Sequence, residues 1–347
     1  MGCILLQTPL TYRRVQDSFG HSISYLRVSI TDRCNERCNY CMPNELQEWM
    51  PRDEVLTYEE LVRIMRVAVC LGINRFRVTG GEPLTRRNIP AFFQMLQDVE
   101  GITSLGVSTN GTLLAKEVSP GVSMAALLAE TGVNSLNLSL DTLRRERYAA
   151  VTGRDFLDSV LRGIASAQAA GFEQIKLNCV LMRDQSEDDV LPLIAFAAER
   201  GLLLRFIELM PVSTTDVLSE ERFFPIAEAK RRIEAKYGVL IPEPDFKTNG
   251  PANYYRIAQT GQRIGFIGAM TDFHFCESCN KLRLTCDGKL RPCLGSHLEF
   301  DLKEPLRAGA SDEELRAFFL HVIARKPKEH DFRTTYEPNR RMVAIGG

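Results

Sequence analysis

The sequence predicts an α/β protein, and three observations carry that prediction. Six short β-like runs alternate with helical patterns between residues 25 and 209. A glycine (Gly72, Gly101, Gly132, Gly171 or Gly201) stands where each of five helices should stop. After Pro211 the alternation ends, and an amphipathic helix leads into shorter strand candidates. A β–α repeat of about thirty-odd residues calls for parallel strands joined by right-handed crossovers. Six units are fewer than the eight of a TIM barrel, so the pattern fits a partial barrel or an open doubly wound sheet.

In chain order the predicted strands are YLRVSI (25–30), RFRVTG (75–80), SLGVSTN (104–110), SLNLSL (135–140), QIKLNCV (174–180) and LLRFIEL (203–209). Helices are predicted near 57–71, 88–99, 121–131, 155–170 and 186–200. The stretch STTDVLSEE marks a boundary near residue 215, dividing a barrel core (1–215) from a C-terminal region (216–347). That region opens with FFPIAEAKRRIEAKYG, an amphipathic helix, followed by strand candidates YYRIA (254–258) and RIGFIG (263–268).

Composition excludes several classes. The chain has 347 residues, 44% hydrophobic and 25% charged, as expected of a globular protein. A net charge of −1 argues against a wholly basic nucleic-acid binder. No apolar run approaches the roughly 20 residues of a membrane span. The start, MGCILLQTPL, lacks a basic n-region, and Leu6 stands where myristoylation wants Ser or Thr. The expected location is the cytoplasm, with neither nucleic acid nor membrane as partner.

Period-two geometry assigns faces within the strands. Leu136, Leu138 and Leu140 point one way, and Asn137, Ser139 and Asp141 the other. The polar face collects Arg27, Arg75, Arg77, Lys176 and Arg205, with almost no acid among them. Burying so many cations without partners is prohibitive, so this face should enclose water and an anionic ligand, pointing to a phosphorylated substrate.

The ten cysteines fall unevenly. Cys70 and Cys179, in apolar patterns, read as buried small hydrophobes, and Cys3 as a terminal thiol. CNERCNYC packs Cys34, Cys38 and Cys41 into eight positions after the first strand. Three soft thiolates are one short of a closed zinc site, and suit an iron–sulfur cluster with one iron left open. FCESCNKLRLTCDGKLRPCLG carries Cys276, Cys279, Cys286 and Cys293, and its spacing also admits zinc held by all four.

CxxxCxxC with Tyr40 before the last cysteine, followed one unit later by TGGEP (79–83), resembles the radical SAM superfamily. From residue 18 to the C-terminal IGG the chain resembles the molybdenum-cofactor GTP 3′,8-cyclases (the MoaA family). The motifs that carry this are DSFGHSISYLRVSITDRCNERCNYCMP, RVTGGEPLTRR, STNGTLL, NLSLDTL, IKLNCVLMRD, RFIELMP and FCESCNKLRL. The resemblance implies a radical SAM partial (β/α)6 TIM-type barrel with a C-terminal α+β extension carrying a second iron–sulfur cluster. It implies two [4Fe–4S] clusters, one on Cys34, Cys38 and Cys41 and one on Cys276, Cys279 and Cys293, leaving Cys286 a bystander. S-adenosylmethionine should meet Tyr40, Gly81, Glu82, Ser139 and Met210, with Glu82 accepting from its ammonium group. GTP should meet Arg27, Arg75, Arg77, Ser108, Lys176, Arg205, Lys281, Leu282 and Arg283, with Arg283 as the catalytic residue. Lys281 and Ser108 depart from the Arg and Thr usual in the family; Lys keeps charge but loses bidentate phosphate geometry.

The implied reaction is that of a radical SAM lyase. An adenosyl radical removes H3′ of GTP, the C3′ radical bonds to guanine C8, and a further electron and proton give 3′,8-cyclo-7,8-dihydro-GTP. The implied partners are GTP, an electron donor such as a flavodoxin-type reductant, and the next pathway enzyme, cyclic pyranopterin monophosphate synthase. A second copy of the chain, in a homodimer, is a further option. In the family the terminal Gly346-Gly347 reaches the active site. Two rival readings are a peptide-modifying radical SAM enzyme and a zinc-stabilised scaffold without catalysis.

Overall fold

The computed structural model describes residues 15–42, 48–212, 219, 221–334, 336 and 338–346. Cys3, Gly347 and the boundary expected near residue 215 lie outside them. The chain runs β1 (Tyr25–Ser29), α1 (Tyr58–Cys70), β2 (Arg75–Thr79), α2 (Ile89–Gln97) and β3 (Ser104–Thr109). A small hairpin, β4 (Glu117–Ser119) and β5 (Val122–Ser123), precedes α3 (Met124–Glu130) and β6 (Ser135–Ser139). Then come α4 (Arg145–Thr152), α5 (Leu157–Ala169), β7 (Ile175–Leu181), α6 (Val190–Glu199) and β8 (Leu203–Glu208).

Helix α1 illustrates why these segments fold as they do. Thr57 caps it, accepting from Glu60 N at 3.2 Å while Glu60 accepts from Thr57 N at 2.8 Å. Such a cap contributes about 1 kcal/mol. Leu61, Ile64, Met65 and Ala68 follow at helical spacing, and all four are fully buried against the sheet. Each of the three larger side chains contributes roughly 1.5–3 kcal/mol. Gly72, at φ +80°, then ends the helix.

Strands β1, β2, β3, β6, β7 and β8 are hydrogen-bonded in that order, every pair parallel, which makes the six-strand core of a partial barrel. The C-terminal region does not form a separate layer. It supplies α7 (Ile226–Tyr237), β9 (Leu240–Pro242), β10 (Asn253–Ile257), β11 (Arg263–Ile267), β12 (Lys281–Leu284), β13 (Lys289–Arg291) and β14 (Phe300–Asp301). Helices α8 (Lys303–Arg307), α9 (Asp312–Ile323) and α10 (Met342–Ile345) complete the order. Strand β11 joins β8 and β12 joins β1, both parallel, so the sheet is extended from both edges to twelve strands. Apolar side chains such as Leu26, Val28, Phe76, Val78, Leu136, Leu138, Leu177, Leu204 and Phe206 pack the helix side of this sheet. The opposite faces of the same strands enclose a chamber.

Candidate active site

The chamber has a volume of about 340 Å³, and its lining joins residues separated by more than 300 positions in sequence. Register explains the join. Arg27 lies opposite Arg77 on β2 and opposite Arg283 on β12, and Ser108, Asn137 and Lys176 are consecutive neighbours on β3, β6 and β7. Arg205 on β8 pairs in register with Asn178 on β7 and with Gly265 on β11.

Three arginines side by side on β12, β1 and β2 form a like-charge ladder, an arrangement that costs stability unless anions compensate it. Among the described lining residues the only carboxylates, Glu36 and Glu208, lie toward the C-terminal strand ends, away from most of this ladder. Burial, joined by the neighbouring Arg77 and Arg205, pushes Lys176 down to about 7. Burial, followed by repulsion from Arg27, pushes Arg283 down to about 9. Arg27 is pushed down to about 10, again mainly by burial. A polyanion would relieve all three.

Neutral partners aim these cations. Arg77 donates to Tyr25 Oη at 2.8 Å, Val107 O at 3.0 Å and Ser135 Oγ at 3.0 Å. A Cβ at Gly106 would stand 2.5 Å from the Arg77 guanidinium, so glycine there makes room for it. Arg205 donates twice to Asn178 Oδ1, at 2.9 and 2.6 Å, and Lys176 donates to Gln174 Oε1 at 2.9 Å. Arg283 Nη1 donates to Gly346 O at 2.8 Å, so the C-terminal tail touches the ladder. At Gly346 a Cβ would meet Thr79 Cγ2 at 2.5 Å.

Two groups of thiols occupy opposite ends. Cys34, Cys38 and Cys41 follow β1, at the C-terminal strand ends. Cys276 and Cys279 precede β12, which is parallel to β1, and Cys293 follows the antiparallel β13. The second group therefore sits at the N-terminal strand ends, about 15 Å of strand from the first. Of the nine described cysteines, these six line the chamber. Cys70 is half-buried on α1 and Cys179 buried on β7. Cys286 is fully buried, its Sγ 3.7 Å from Met50 Sδ.

The first loop is fixed by its backbone. Arg37 N donates to Thr152 O at 2.7 Å, Asn39 N to Val151 O at 2.9 Å, and Cys41 N to Cys38 O at 2.9 Å. Arg37 Nη1 donates to Cys34 O at 2.7 Å. Burial pushes the Cys34 thiol up to about 12 and those of Cys38 and Cys41 well up, so only a bound metal would hold all three as thiolates. Among the described residues no three His, Cys, Asp or Glu side chains converge on one ion.

Tyr40, Gly81, Ser139 and Met210 line the first-thiol end, and Arg27, Arg77, Ser108, Lys176, Arg205, Lys281 and Arg283 the rest. Three expected site residues are placed elsewhere. Glu82 is buried beside Gly81 and is not among the residues lining the chamber; it accepts from Thr109 Oγ1 at 2.8 Å, Asn110 N at 2.7 Å and Leu84 N at 3.0 Å, bonds that organise the loop. Arg75 is exposed at the start of β2, beyond Arg77 at the N-terminal end. Leu282 lies between Lys281 and Arg283, so period two turns its side chain into the core and leaves only its backbone for a ligand. The glycines of TGGEP allow a close backbone approach. A Cβ at Gly80 would meet Thr31 O at 2.4 Å and one at Gly81 would meet Arg33 O at 2.4 Å. Their absent side chains let the turn lie on the backbone leading to the cysteine loop, with Gly81 N donating to Thr31 O at 2.8 Å.

Sequence reasoning missed several lining residues. Asn249, in a loop, donates to Ser104 Oγ at 2.9 Å, and Lys326 and His330 follow α9. None of these belongs to a periodic strand, so alternation could not find them. Asn137 was visible on the polar face, and its buried Oδ1 has no hydrogen-bond partner within the protein.

Residues 28–197 match the Radical SAM superfamily, and residues 202–332 match the family described as Molybdenum Cofactor Synthesis C. A GTP 3′,8-cyclase of Moorella thermoacetica is 43% identical over 333 residues, covering 96% of this chain and 100% of that protein. One from Paracoccus denitrificans is 44% identical, covering 94% and 92%. Among solved structures, Streptococcus suis SuiB bound to S-adenosylmethionine has a TM-score of 0.58 at 15% identity, covering 93% of this chain and 77% of that one, a likeness of fold. Among the described residues no helix is long and apolar enough to cross a membrane.

Proposed function

Because the chain belongs to the GTP 3′,8-cyclase family of radical SAM enzymes, we propose that it cyclises GTP within this chamber. The product is (8S)-3′,8-cyclo-7,8-dihydroguanosine 5′-triphosphate, the first step of molybdenum cofactor biosynthesis. The observation that carries this is the pairing of two three-thiol groups with a cationic ladder between them on one cavity wall.

The donor sets fit the cofactors of the family, two [4Fe–4S] clusters and S-adenosylmethionine. Three thiolates per group leave a fourth coordination position for a small molecule. Cys34, Cys38 and Cys41 would hold the first cluster, and Cys276, Cys279 and Cys293 the second. When bound, the first cluster and S-adenosylmethionine supply a 5′-deoxyadenosyl radical for abstraction of the ribose H3′ of GTP, after which C3′ bonds to C8.

The chain's own part is placement and shielding. Tyr40, Gly81, Ser139 and Met210 form the wall at the adenosylmethionine end. The Tyr40 hydroxyl is tied to Asp141 Oδ2 at 2.9 Å, which keeps its ring beside Cys41. Arg27, Arg77, Lys176 and Arg205 neutralise the triphosphate, the last three pre-aimed by the neutral partners described above. Lys281 and Arg283 stand near the second thiol group, where the guanine would lie. Arg283, held by the Gly346 carbonyl, supplies a fixed positive charge where C3′ and C8 join. GTP is the substrate partner. A flavodoxin-type reductant as electron donor, cyclic pyranopterin monophosphate synthase as consumer, a homodimeric state and a cytoplasmic location complete the proposal.

Anaerobic incubation of the reconstituted protein with GTP, S-adenosylmethionine and dithionite tests it. The expected result is 5′-deoxyadenosine together with a nucleotide isomeric with GTP, and about eight irons per chain. Adenosylmethionine cleavage that no nucleotide stimulates, with GTP recovered unchanged, would refute it.

A further inference from the structure

Lys326 follows the last turn of α9, and it is 96% buried, its relative exposure being 4%. Its ammonium group donates to Lys281 O at 3.0 Å and to Pro292 O at 2.6 Å. Those two carbonyls belong to the two chain segments that carry the second thiol group. Lys281 lies two residues after Cys279, and Pro292 immediately precedes Cys293. One side chain from a third segment therefore ties both cysteine-bearing segments together while lining the chamber.

Arg77 and Arg205 donate to groups on the barrel strands and Arg283 to the C-terminal tail, whereas Lys326 donates to the two segments that carry the thiols.

We infer that Lys326 is a positioning residue for the second iron–sulfur cluster, stapling its two ligand segments and holding a positive charge against its thiolates. The inference rests on the assignment of Cys276, Cys279 and Cys293 to that cluster. A nearby cation favours the reduced, more negative state, so Lys326 raises the potential of the cluster. It follows that the residue acts on substrate only through that cluster.

The experiment uses full-length protein carrying Cys34→Ala, Cys38→Ala and Cys41→Ala, reconstituted anaerobically, so that the second cluster is observed by itself. This parent should bind about four irons. If it binds none, the cluster assignment is wrong and the inference falls with it. In that background Lys326→Met should lower the midpoint potential measured by dithionite titration followed by electron paramagnetic resonance, or lose iron. Lys326→Arg should restore the lost property, because it keeps both the charge and the donors. The inference is overturned if Lys326→Met retains iron with an unmoved midpoint. It is equally overturned if Lys326→Arg fails to rescue, or if the only change is weaker GTP binding at an unchanged midpoint and spectrum.

Discussion

Replacing Lys176 by methionine should remove the main pH dependence of GTP binding that arises from the protein. Lys176 is buried on β7 with Arg77 and Arg205 as neighbours, and burial together with these charges pushes it down to about 7. Half of the side chain is then protonated at pH 7 and about one-tenth at pH 8. A bound triphosphate holds the ammonium charged, so binding takes up a proton. The sign follows directly. The contribution to affinity is complete below pH 7 and declines as pH rises, until the higher pKa of the bound state is reached. The Kd should therefore rise about fivefold from pH 7 to pH 8, then about tenfold for the next unit, or about 1.4 kcal/mol. GTP has its own phosphate titration, which the variant shares, so the difference between the two proteins isolates Lys176. At pH 6.5 the variant should bind about tenfold to a hundredfold more weakly, the loss of one charge-assisted hydrogen bond. Anaerobic calorimetry in two buffers of different ionisation enthalpy measures the proton uptake. Wild type should exceed Lys176→Met by about half a proton at pH 7. Equal uptake by both proteins would refute the reasoning.

Arg283→Ala should retain adenosylmethionine cleavage while losing cyclised nucleotide, read by chromatography of 5′-deoxyadenosine and of the nucleotide pool; a parallel fall of both would remove its proposed role. Gly346→Ala should weaken cyclisation about tenfold or more with little change in Tm, because its Cβ would meet Thr79 and displace the carbonyl that holds Arg283. Cys293→Ala should lower bound iron to about four per chain, whereas Cys286→Ala should leave about eight, since Cys286 does not line the chamber. Lys281→Arg should tighten GTP binding severalfold in the same calorimetric assay by restoring a planar, forked donor.

Much of the barrel was legible because period-two alternation and glycine stops are local signals. All six predicted core strands appear within one residue of their expected ends. The short α4, between β6 and α5, was not read, because its residues RERYAAVT give no apolar stripe: only Tyr148, Val151 and Thr152 are buried. Strands β12 to β14 are two to four residues long, too short to show a period. At the site, alternation placed Arg27, Arg77, Lys176 and Arg205 on one wall, but it put Arg75 there too. A face assignment says nothing about how far along the barrel a residue stands.

The sequence by itself determined the chemistry: which thiols come in threes, which strand faces are cationic, and where the helices end. These are properties of neighbours within a few residues, fixed by covalent spacing and backbone geometry. Only the tertiary structure decided that the two thiol groups face one chamber from opposite ends, since that follows from β12 pairing parallel to β1 across some 250 residues of chain. It also decided that Glu82 accepts from Asn110 and that Lys326 bridges Lys281 and Pro292. Hydrogen bonds of this kind join residues whose separation in sequence carries no periodic trace, and packing alone brings them together.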